Sequence, residues 1–101
     1  MLPKSIKVWM RTFTVEEVEQ GGFKTKTRPE QVLLGEVDWD RKVVRLLQSQ
    51  SDEDKEETLY HELFHIANDL GGSSLKESQI DSMSKLCYYI LKSNGMLKEL
   101  S

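Results

Sequence analysis

Apolar and polar residues alternate with a period of two over the first half of the chain and recur with a period near 3.6 over the second. Ile6, Val8 and Met10 alternate with Ser5, Lys7 and Trp9, and Phe13, Val15 and Glu17 continue the pattern opposite Thr12, Thr14 and Glu16. This predicts two short strands joined near Arg11-Thr12. Gly21-Gly22 and the polar run 24–30, in which Pro29 holds Arg28 extended, predict a flexible loop. Two more strands are expected over about 32–39 and 42–48, closed by a tight Asp40-Arg41 turn into an antiparallel hairpin.

The period then changes. Ser51 is placed to cap a helix, Asp52, Glu53 and Asp54 suit the positive end of its dipole, and Gly71-Gly72 ends it, which predicts a helix over 52–70. Leu59, Leu63, Ile66, Ala67 and Leu70 form its apolar stripe with Tyr60 and Phe64 at one margin, and His61, Glu62, His65 and Asp69 share the other side. A second helix is expected over 75–93, starting at Ser74, stopping at Asn94-Gly95 and burying Ile80, Met83, Cys87, Ile90 and Leu91. Glu77, Asp81, Ser84 and Tyr88 line an adjacent edge. The fold class is α+β, a small antiparallel sheet of three or four strands against two main helices. The chain is one domain, 1–101, with a sheet half (1–50) and a helical half (51–101).

The first helix carries the chemistry. Both histidines of the protein lie in His61-Glu62-Leu63-Phe64-His65, four apart on one helical edge, with a glutamate directly after the first. Two imidazoles at that spacing can close on one Zn²⁺, and the glutamate can serve as base for a water on the metal. A catalytic zinc commonly has three protein ligands. With no third histidine, a carboxylate of the second helix is the natural supply, and Glu77 is the choice, with Asp81, or no third carboxylate ligand, as the alternatives. Ser74-Leu75-Lys76-Glu77 also reads as a capping box, which would turn the Glu77 carboxylate back to the Ser74 amide. Asp69, one turn past His65, is placed to orient that ring or simply to face solvent. Tyr88 is the candidate donor to a reaction oxyanion, with Tyr60 weaker, and packing is the competing role for both.

Composition narrows the setting. At 101 residues, with 38% hydrophobic and 31% charged, the chain has room for a single modest core. Its net charge of −3 argues against direct nucleic-acid binding, and Lys24, Lys26, Arg28, Arg41, Lys42 and Arg45 are expected on a solvated face. No apolar run has the length of a membrane span and no leader-like segment is present, so no membrane partner is expected and the cytosol is the expected location. Cys87 has no partner for an internal disulfide and is expected as a buried thiol.

Val32 to Asp40 (VLLGEVDWD), the Thr58-to-His65 motif, Glu77 and the run Leu86 to Lys92 together resemble the small zincin-like proteins of phages and prophages, similar to the ImmA/IrrE metallopeptidases. The resemblance spans roughly 32–97. It implies zinc held by His61, His65 and Glu77, with Glu62 as the catalytic base. It also implies a metallopeptidase acting on a cytosolic protein or peptide, a repressor among the implied substrates, in a bacterial host's cytoplasm. The competing function class is a non-catalytic phage interaction protein that binds a host factor and uses zinc to hold its helices together.

Overall fold

The computed structural model describes residues 2–72 and 74–97. Strands β1 (Ser5–Val8), β2 (Arg11–Val18), β3 (Gly35–Asp38) and β4 (Val43–Leu47) precede helices α1 (Asp52–Leu70) and α2 (Glu77–Ser93), and a single 3₁₀ turn, Gln20–Gly22, follows β2. The strands form one sheet in the order β1-β2-β4-β3. A small sheet packed against two helices, the α+β fold read from the periodicities, is what the chain adopts.

The sheet is mixed, which corrects the expectation of a wholly antiparallel one. β1–β2 and β3–β4 are antiparallel, but β2 and β4 run parallel, from Thr14 opposite Val43 to Val18 opposite Leu47. The cause is the burial of β4, whose five positions are all buried, Val44 and Leu46 on one face and Val43, Arg45 and Leu47 on the other, and a strand covered on both faces belongs in the interior of a sheet. Segment 19–34 therefore carries the chain past the place beside β2, β3 takes the edge, and the hairpin returns β4 into the gap. The β1–β2 turn sits at Trp9-Met10, two residues before the expected joint, with Trp9 at φ 56°.

Val44 and Leu46 face α1 and close a core with Phe13, Leu59 and Ile66. The other face of the sheet holds ions. Arg45, expected on a solvated surface, is only 7% exposed, and its Nη1 donates to Glu36 at 2.9 Å and Asp38 at 3.1 Å. The backbone N–H groups of Lys24 and Thr25 donate to the same Glu36 carboxylate at 2.8 and 2.9 Å, so the polar loop is anchored at its start, where Phe23 is buried. The β3–β4 register places Glu36 directly opposite Arg45, a cross-strand pair of opposite charge.

Helix α1 has the expected bounds, and the Ser51 hydroxyl accepts from the Asp54 N–H at 3.2 Å. Ala67, assigned to the apolar stripe, is exposed, whereas Tyr60 is buried. Helix α2 starts two residues later than expected, at Glu77, and buries Ile80, Ser84 and Tyr88. Met83 and Ile90, expected inside, are 46% and 60% exposed. The helix is rotated because its polar edge, with Tyr88 and Lys92, makes the contacts to α1: Tyr88 Oη donates to Glu56 at 2.7 Å and Lys92 Nζ to Glu53 at 2.9 Å. Cys87 is free and half-buried. The connection between the helices includes Ser73, which lies outside the described residues; Leu75 N–H donates to Asn68 Oδ1 across it at 3.2 Å.

The ion cluster makes the fold acid-sensitive. Burial raises the Glu36 carboxyl, but the Lys24 and Thr25 amides and Arg45 outweigh it and hold the pKa below its ordinary value; Asp38 is lowered likewise, its burial outweighed by the Arg41 amide and by Arg45. Groups with depressed folded-state pKa contribute stability that is complete above the unfolded value of about 4 and lost as pH falls through the folded values. Thermal melts should therefore show a midpoint falling below about pH 4, and a Glu36→Gln, Asp38→Asn variant should lose that acid limb. Arg45→Ala, which strands two carboxylates, should cost about 3–5 kcal/mol by urea unfolding at pH 7.

Candidate metal centre

One helical turn stacks His61 above His65, with ring centroids 4.9 Å apart. Antiparallel packing of α2 brings its first residue to this edge. Glu77 Oε1 lies 2.8 Å from His61 Nε2, and Glu77 Oε2 lies 2.8 Å from His65 Nε2. The capping-box alternative for Glu77 does not form: α2 is capped at Lys76, whose N–H donates to Gln79 Oε1 at 2.8 Å, which leaves the Glu77 carboxylate free to face the histidines.

Donor atoms of His61, His65 and Glu77 all lie within 4.8 Å of one another. Two imidazole nitrogens and one carboxylate oxygen are a donor set suited to zinc with a position left open, so these residues fit the ion that the sequence motif implies. Asp81, the alternative ligand, is not in this cluster. Its Oδ1 lies 3.3 Å from His61 Nδ1, the nitrogen opposite the ligand atom, and its Oδ2 pairs with Lys85 at 3.3 Å. A carboxylate at that distance favours a proton on Nδ1, the tautomer that leaves Nε2 to bind metal.

Glu62 is buried beside this cluster, and among the described residues it hydrogen-bonds to no protein group. Burial pushes its carboxyl up to about 7; the His61 charge opposes the rise, and the negative charges of Glu77 and Glu36 add to it. Its position depends on Gly35. A Cβ there would meet Thr58 Cγ2 at 2.7 Å and Glu62 Cγ at 3.3 Å, so only glycine lets the edge strand lie this close to α1. Gln50 holds the same junction: Nε2 donates to Leu34 O at 3.1 Å, and Oε1 accepts from Thr58 Oγ1 at 2.9 Å.

These groups line one cavity of about 610 Å³, floored by α1 and walled by β3 with its flanks on one side and α2 on the other. Compared with family models, with curated proteins and with solved structures, the chain matches none. The site is therefore read from its own geometry.

Two residues singled out from sequence are not brought to the centre. Tyr88 lies three turns along α2 from Glu77, fully buried, its hydroxyl donating to Glu56 and accepting from Lys92 Nζ at 3.1 Å. Burial and the Glu56 bond push that phenol up to about 12, against the opposing Lys92, and it does not line the cavity. Tyr60 packs on Tyr88, ring centroids 5.5 Å apart. Asp69 lines the cavity, yet among the described residues its carboxylate bonds neither histidine. The sequence reading missed Gly35, Val37 and Trp39 as the facing wall. Their odd-numbered alternation along the strand expected over about 32–39 is the signal that could have found them.

Isothermal titration should give one Zn²⁺ per chain, lost in His61→Ala, His65→Ala. Asp81→Ala should keep the stoichiometry and weaken affinity about 10–100-fold. Gly35→Ala should destabilise the fold by about 1–3 kcal/mol in urea unfolding, since Thr58 must leave the rotamer that bonds Gln50 or α1 must shift away from the strand.

Proposed function

We propose that the chain is a zinc-dependent peptidase that hydrolyses a peptide bond of a cytosolic protein, in the manner of the phage and prophage zincin-like proteins and ImmA/IrrE peptidases it resembles. The single observation that carries this reading is the buried Glu62 carboxyl sharing one cavity with the converged His61, His65 and Glu77 donors. A purely structural ion site needs the three donors but has no use for a fourth, unpaired acid beside them.

Zinc bound at these donors would lower the pKa of a coordinated water to about 7 and polarise a substrate carbonyl. Glu62 accepts the water's proton and returns it to the leaving amine. Asp81 holds the His61 ring in orientation throughout. β3 is an edge strand, hydrogen-bonded to β4 alone among the described strands, and offers a backbone onto which an extended substrate can add. Lys85, paired with Asp81 and the one lysine or arginine of the cavity lining, would serve a developing oxyanion in place of Tyr88. The cytoplasm is the proposed location; no helix among the described residues is long and apolar enough to cross a membrane.

One observation favours the competing reading, a non-catalytic protein that binds a host factor: the hydroxyl of Tyr88, the oxyanion donor expected from sequence, is committed to Glu56. Glu62→Gln separates the two. It should keep the melting curve and the zinc stoichiometry and lower hydrolysis of a host-lysate protein about 10²–10⁴-fold. Cleavage that persists unchanged would remove Glu62 from its role, and an absence of cleavage in either form, with the same host protein recovered by both, would favour the binder.

A further inference from the structure

Leu33, Gly35, Val37 and Trp39 have one parity along β3 and its flanks, and all four line the cavity, joined before the strand begins by the half-exposed Leu34. They form an apolar ladder about 20 Å long, interrupted where Gly35 abuts Glu62. The core proper is closed behind it by Phe13, Val44, Leu46, Leu59 and Ile66, and the three side chains of the ladder remain only half-buried. Trp39 is held rather than free: its ring meets Phe13 edge-on, centroids 5.5 Å apart at 84°, and Lys42 Nζ donates to its carbonyl. The remaining lining is acidic. Glu57, Glu62, Asp69, Glu77 and Asp81 face Lys85 as the one lysine or arginine of the lining, and they outnumber it even with a divalent ion counted.

We propose that this groove selects an extended, positively charged segment with bulky apolar side chains at alternate positions. A segment that adds to the free edge of β3 lies with its side chains on the same faces as those of β3, so every second residue turns toward the cavity. Apolar side chains at those positions seat against Leu33 on one side of the glycine gap and against Val37 and Trp39 on the other. The gap leaves the backbone between them open to Glu62 and the metal donors. Basic residues flanking the apolar pair meet the acidic wall, where an acidic segment is repelled. This selection deepens the peptidase reading and rests on it for the hydrolytic step, but binding itself needs only the groove.

Fluorescence anisotropy with zinc-loaded Glu62→Gln protein tests it. The probes are three labelled octapeptides: one with Leu and Phe at alternate central positions between lysines, one with serine replacing the apolar pair, and one with glutamate replacing the lysines. The first should bind at least about tenfold more tightly than either of the others. Leu33→Ser and Trp39→Ala, added singly, should each weaken it about tenfold; Leu33 lies outside the strand and serves if Trp39→Ala fails to fold. Asp69→Asn should reduce the preference for lysine over glutamate. Equal binding of the three peptides, or no binding by any, overturns the proposal. Selective binding with no cleavage by the wild-type protein upholds it and removes the peptidase reading. Cleavage of all three peptides at equal rates removes the proposal and keeps that reading.

Discussion

The distance between α1 and β3 sets everything at the site, and it is fixed by the missing side chain of Gly35. With Thr58 and Glu62 pressed against that position, the edge strand becomes the facing wall of a cavity rather than a separate surface. The same contact covers most of Glu62. An exposed glutamate after a helical histidine would be an ordinary solvated acid, whereas one buried against a strand has its carboxyl raised toward neutrality. Gln50, bonded to both the Leu34 carbonyl and Thr58, keeps helix and strand at that spacing from one end.

Behind the wall, the far face of the sheet supplies a second constraint. Arg45 on the central strand ties Glu36 and Asp38 of β3 into the sheet, so the short edge strand that carries the apolar residues of the wall is held by ion pairs as well as by its backbone hydrogen bonds. A buried ionic cluster is seldom a net gain over apolar packing, but it fixes register, and a one-residue slip of β3 would turn the Leu33-Val37-Trp39 face away from the cavity. The charge of Glu36 also adds to the rise in Glu62, so the two faces of the sheet are coupled electrostatically.

Local signals were legible where they rest on local physics. The Ser51 cap, the acidic first turn and the diglycine stop give the bounds of α1, and the histidine spacing gives the metal edge. The place of β4 was harder, because the sheet order depends on which strand needs both faces covered, a tertiary demand that periodicity along each strand does not express. Yet the apolar residues of β4 and the Glu36–Arg45 opposition across a tight turn were both present in the sequence. The rotation of α2 escaped for a related reason: its contacts to α1 are made by Tyr88, Tyr89 and Lys92 with Glu56, Glu57 and Glu53, polar groups that a hydrophobic stripe cannot locate. Glu77 was chosen from sequence against a competing capping box, and that competitor fell away because the cap sits at Lys76, two residues past Ser74.

A carboxylate that approaches two imidazoles at 2.8 Å each is the arrangement a divalent ion would take over, and the central claim is that three donors hold the metal while Glu62 stands beside it unligated. Anomalous diffraction from a crystal grown with zinc tests this directly. The expected result is one peak bounded by Nε2 of His61, Nε2 of His65 and a Glu77 oxygen, with the Glu62 carboxylate outside bonding distance of the ion. A peak ligated by Glu62 in place of Glu77, or density only at the Glu36 and Asp38 carboxylates, would contradict it.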